Sequence, residues 1–260
     1  MNIPMDVEEE NNHLYFQMWE SLRESNIEEH RFYVAQGKAK LLSQFGKMED
    51  EAAQAEEKWL NIRSANFDPD RDDPADIFEG AYHAGVDYYR LLNEMRDQTR
   101  MSLIAGMFHE WDKRLRNWLA RQIEYWSPGP EVSSKLWSVS FELLASLLHS
   151  TGLVHQNASF MAKLSAYRHV VNVYKHGYGS SFHALKSKHP QFLKHTTTGN
   201  NPSVPGWVDY THLNVTDSHL DELTEAISDF WRAIPANTFD INIDNLPTWF
   251  KNAQAKDSRS

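Results

Sequence analysis

Arg168, Asn172 and His176 stand four residues apart within YRHVVNVYKHGYGSS, residues 167–181. On an α-helix at 3.6 residues per turn that spacing stacks three side chains along one face, drifting slowly around the axis. A guanidinium, an amide and an imidazole on one face suit phosphodiester cleavage. His176 would act as general acid or base, worth about 10²–10⁴ in rate. Arg168 would stabilise charge building on the phosphorane oxygens, and Asn172 would orient the histidine or the phosphate. Gly177 fits a helix C-terminal cap, Gly179 a turn, and Ser180 or Ser181 the cap of a following helix. The first N–H groups of that helix would face an anion, so a phosphate resting there would lie close to His176 and Lys175. With RNA, the ribose 2′-OH serves as internal nucleophile, and the reading calls for neither metal nor cofactor. The competing reading is a polar face that locks the helix into a hydrogen-bond network, with the glycines and serines as plain turn residues.

Charge is segregated along the 260 residues. The chain carries −10 overall, yet no Asp or Glu occurs between Glu142 and Asp209. That window holds Lys163, Arg168, Lys175, Lys186, Lys188 and Lys194 together with seven histidines. A basic island in an acidic protein points to a local polyanion contact, with the acidic remainder limiting nonspecific binding. No cysteine is present, which excludes a disulfide framework, a thiolate metal site and a Cys nucleophile. HExxH, GxxxxGK[ST], GxSxG and the dinucleotide fingerprint are all absent. His176, His183 and His195 lack compact ligand spacing, so no metal site is expected. No apolar run reaches the roughly 18 residues of a membrane span. The N-terminal MNIPMDVEEENN is acidic where a signal peptide would be basic, and the expected location is cytoplasmic.

Helical periodicity dominates and predicts an all-α fold: an antiparallel helical bundle with long N-terminal helices and an irregular C-terminal region. Segment 1–66 reads as a helical arm, with one helix near 6–24 and another pattern over 27–65 set by Phe45, Met48, Ala52, Ala55, Trp59 and Ile62. FDPDRDDPAD breaks it, and Asp73-Pro74 suits the opening of the next helix. From Ala75 to about Tyr125 runs either one very long helix or two meeting near 97–101. SPGP ends it at 127–130. Further helices are expected over 131–151, from an Asn157 cap to His176, over 181–188 and over 217–233. Residues 194–216 read as a long irregular loop, and the tail after Pro235 as weakly structured with one turn near LPTWFKNA. The segments are therefore 1–66, 75–193 (the bundle bearing the Arg/Asn/His stripe) and 194–260.

The run Arg168-x3-Asn172-x2-Lys175-His176-Gly177 at a helix end, after an all-α region containing SLIAGMFHEWDKRLRNWL, resembles the signature of HEPN-domain proteins. RHVVNVYKHGYGSSFHALKSKHPQFL is also similar to an uncharacterised bacterial group with the pattern R-x3-N-x2-K-H-G-x-G-x-S. The HEPN resemblance implies a metal-independent endoribonuclease of a toxin or anti-phage system, working as a homodimer or as a subunit of a defence complex. It casts Arg168 and His176 as catalytic, His169 as the polar residue after the arginine, and Glu110 as a supporting group on a helix packed near the motif. Seven residues separate Arg168 from His176, against the family's usual four to six. Two other readings stay open. One is a non-catalytic helical interaction or sensor subunit, and the other is an RNA-binding protein that does not cleave.

Overall fold

The structure is a computed structural model that describes residues 13–194 and 208–259. It is all-α apart from a two-stranded antiparallel sheet of β1, Phe16–Gln17, and β2, Asn237–Thr238. The helices are α1 (Glu20–Lys40), α2 (Met48–Ser64), α3 (Pro74–Ile123), α4 (Pro130–Ser138), α5 (Phe141–Ser150), α6 (Ser159–His176), α7 (Ser180–Lys188), α8 (Asp217–Ala233) and α9 (Thr248–Asp257). Contacts divide the chain into two compact units. The first joins residues 13–30, 108–165 and 225–259, and the second joins 31–107 with 166–194 and 208–224. Each unit therefore draws on all three of the sequence segments 1–66, 75–193 and 194–260.

Several boundaries follow local chemistry. Asp73 caps α3 by accepting the Ala75 N–H at 2.8 Å, and Pro74 occupies the first helical position, where a missing N–H costs nothing. The helix then runs unbroken for 50 residues. Residues 13–19 are not the helix expected near 6–24. β1 occupies two of them, and α1 begins only at Glu20. The helix expected over 131–151 is two helices, because Val139 is extended and Ser140 caps α5 through the Leu143 N–H. The break is stabilised from a distance. Buried Arg116 donates to the carbonyls of Leu136 at 2.6 Å and Val139 at 3.1 Å, and pairs with Asp112 at 2.7 Å. The α4 N-terminus is likewise capped remotely, by the Asp257 carboxylate of α9 accepting from Glu131 and Val132 N–H, each at 3.0 Å.

In the first unit the core is aromatic. Trp111 meets Phe108, Phe141 and Phe230 with ring centroids 5.1–5.9 Å apart. In the second, Tyr167 is fully buried, and its hydroxyl donates to the His219 carbonyl at 2.9 Å or the Glu222 carboxylate at 3.0 Å. Burial, reinforced by Glu222, raises its pKa, so it remains a donor. Ion pairs Arg100–Asp217 at 2.6 Å and Lys38–Asp221 at 2.5 Å fix the first turns of α8.

His30 lies buried on α1, near Arg114, which pairs with Glu29 and Glu110. Burial, and then the Arg114 cation, lower its pKa from 6.5 to about 4 against the opposing pull of Glu110 and Glu29. The unfolded chain thus binds the His30 proton first as pH falls. This contribution is intact above 6.5 and declines between about 6.5 and about 4, by about 3 kcal/mol. Urea denaturation at about pH 7 and about pH 4.5 should show His30→Gln losing less stability than the parent across that interval.

Candidate functional site

The end of α6 is built by one reversal of the chain. Gly177 takes φ +70° and its N–H bonds the Val173 carbonyl at 2.8 Å, closing the helix at His176. This left-handed conformation is open to glycine at no steric cost. Gly179 follows as the residue before α7, with no side-chain cap. Neither serine caps α7, contrary to expectation. Ser180 and Ser181 are its first two residues, which leaves the leading N–H groups of the helix without a side-chain acceptor.

Ser181 instead turns back onto α6. Its Oγ accepts from Asn172 Nδ2 at 3.2 Å and lies 3.2 Å from His169 Nδ1. A hydroxyl has one proton and two lone pairs, so accepting from Asn172 leaves it able to donate to the ring nitrogen. The His189 ring stands 6.3 Å from that of His169, and burial, then Lys188, lowers the His189 pKa. The Arg/Asn/His stripe is therefore graded. Arg168 and Asn172 are half-buried, Asn172 is tied to α7, and His176 and Lys175 are exposed. Among the predicted site residues, Gly177, Gly179, Ser180, Ser181 and His169 gather with the stripe in the second unit. Glu110 belongs to the first unit, held by Lys113 at 2.6 Å and Arg114 at 3.1 Å, which lower its pKa. His195 lies outside the described residues.

Sequence reading missed an aromatic element. Tyr178 and Tyr210 are both exposed and meet edge-to-face at 4.9 Å, with Tyr178 also against Phe182 at 5.4 Å. Tyr210 also lies beside Gly177, where an added Cβ would be 3.5 Å from its ring. Desolvation, then Asp209, raises the Tyr178 pKa, keeping its hydroxyl protonated. Asp209, the acid that ends the carboxylate-free window, is turned inward. It accepts from Thr211 N–H at 2.8 Å and pairs with His212 at 2.8 Å, and its pKa is lowered, chiefly by Thr211. Lys194 is neutralised by Asp97 at 2.8 Å, whereas Lys175, Lys186 and Lys188 are exposed and form no ion pair among the described residues. No group of three or more His, Asp or Glu among those residues is placed to hold a metal ion, and no described helix is long and apolar enough to cross a membrane.

No protein-family model matches the chain, and no curated protein or solved structure is significantly similar to it. The site is thus defined by its own geometry. Ser181→Ala would leave Asn172 without this partner and remove the hydroxyl contact to His169, while α7 remains. It should cost about 1 kcal/mol in urea denaturation and shift the ring resonances of His169 in NMR without loss of helicity.

Proposed function

We propose that the chain binds single-stranded RNA across the α6–α7 junction and cleaves it, with His176 as the proton-transfer group. The observation that supports this best is an exposed histidine beside an exposed tyrosine pair, on a unit whose exposed Lys175, Lys186 and Lys188 form no ion pair among the described residues, while Asp209 is engaged by Thr211 and His212. Tyrosine faces stack splayed bases, and lysines follow the phosphates. The Ser180 end of α7 directs backbone N–H groups toward an anion at the same junction. In the reaction the ribose 2′-oxygen attacks the adjacent phosphorus as its proton is taken up. The bond from phosphorus to the 5′-oxygen breaks, and that oxygen receives a proton. His176 supplies one of these transfers, and half-buried Arg168 supports the charge on the phosphoryl oxygens through the α6 face. The HEPN resemblance agrees with this chemistry and adds a defence or toxin role in bacteria.

RNA binding without cleavage is the second reading. It is favoured by the Asn172–Ser181 bond, which engages one of the three stripe residues in packing. The two separate on a labelled single-stranded RNA. His176→Ala should lower cleavage at least ~100-fold, leave the melting temperature unchanged because the side chain is exposed, and still bind. Binding should weaken with salt at a log–log slope of about −2, as expected for three lysine–phosphate contacts on a single strand. Undiminished cleavage by His176→Ala refutes the catalytic role. Salt-dependent binding with no product from the parent chain establishes the second reading.

A further inference from the structure

The α2–α3 hairpin has almost no core. Between Glu49 and Arg100 only Ala81 and Gly85 are buried. The two helices touch through a narrow seam. Trp59 lies against Gly80 closely enough to fill the place of a Cβ, and Gly85 approaches the Ala52 carbonyl, with 3.3 Å to a built Cβ. Beside that seam, α3 exposes Phe78, Tyr82, Val86 and Tyr89 by 64%, 60%, 46% and 39%. Steps of four, four and three place them on one stripe of the helix, rising about 16 Å. On a different face α3 also leaves Tyr88, Leu91 and Met95 exposed by 40%, 54% and 61%. A pair of helices with apolar side chains left over is half of a bundle, since an amphipathic face needs an opposing layer.

We infer that this stripe is the contact surface for a second copy of the chain, α3 packing antiparallel on α3 about a two-fold axis near residue 84. Two features favour a copy over any other occupant. The stripe is self-complementary when reversed: Phe78 meets Tyr89 of the other copy, Tyr82 meets Val86, and on the adjoining ridge Glu79 meets Arg90. Every pair is made twice, as two-fold symmetry requires. In the single chain the pairs described for Glu79 and Arg90 are exposed and local, Glu79 to His83 at 3.5 Å and Arg90 to Asp87 at 3.5 Å and Glu94 at 2.9 Å, so both can exchange partners at little cost. The area also fits. Four side chains exposed to this degree offer on the order of 400 Å², which is the apolar share of a standard interface burying about 800 Å² on each partner.

Sedimentation velocity of the full chain across the micromolar range tests this independently of any cleavage. The parent chain should sediment as a dimer. Tyr82→Asp should raise the dissociation constant by about 100-fold or more while helicity stays the same, and Val86→Lys repeats the reading at a smaller side chain. Glu79→Arg and Arg90→Glu should each weaken association, and together restore it. A chain that remains monomeric throughout, or a dimer that both stripe variants leave intact, overturns the assignment. Failure of the double charge exchange to restore association overturns the antiparallel register.

Discussion

The left-handed turn at Gly177 is the constraint on which the candidate site rests. A helix that continued past His176 would carry Ser181 onward, nine residues and two and a half turns from Asn172. Reversal at Gly177 brings the same serine within 3.2 Å of that amide and of His169. It also leaves His176 exposed as the last residue of α6, and allows Tyr178 to stand against Tyr210. The half-buried part of the stripe is thereby tied to α7 through Asn172, and the outer part is left exposed. On the proposed reading, a proton-transfer group at His176 would draw positioning from the packed end and access from the open one.

Electrostatics follows the same division. The carboxylate-free window does not translate directly into a basic surface, since Lys194 is consumed by Asp97 from the middle of α3. What survives is local: Lys175 beside His176, and Lys186 and Lys188 on α7. Asp209 sits close enough to raise the Tyr178 pKa, yet its own carboxylate is occupied by the Thr211 and His212 turn. On the proposed reading, a polyanion at this junction would meet lysines that form no ion pair among the described residues, next to rings able to stack without regard to sequence.

How much of this could be read along the chain depends on the range of the interaction responsible. The opening of α3 at Asp73-Pro74 and the close of α6 at Gly177 are set by neighbours in sequence, and each was legible there; the span of α8 was legible as well, although Arg100 and Lys38 also hold its first turns. The break at Val139 was not, because the group that satisfies the Leu136 and Val139 carbonyls belongs to Arg116, 20 and 23 residues upstream. The α4 cap was hidden for the same reason, its acceptor being Asp257 at the other end of the chain. Ser181 looked like a cap because hydroxyls at helix starts usually are. Its preference for α6 is a tertiary choice that spacing does not reveal. The Tyr178–Tyr210 pair joins residues flanking a long polar segment, and no periodicity marks it.

The hairpin poses the opposite problem, since its periodicity was plain while its burial was not. Trp59 recurs at the right steps to be a core residue, and it does pack, but onto a glycine of α3 and at the edge of a two-helix layer. Trp59 seated on Gly80 and the approach of Gly85 to the Ala52 carbonyl give the hairpin its seam and leave little other side-chain volume to bury there. Helices in such a layer gain little from their own propensities and depend on packing for stability. The same 50-residue helix thus meets two different demands. Its C-terminal half is surrounded by aromatic core, and its N-terminal half presents a ladder of rings to whatever completes the layer.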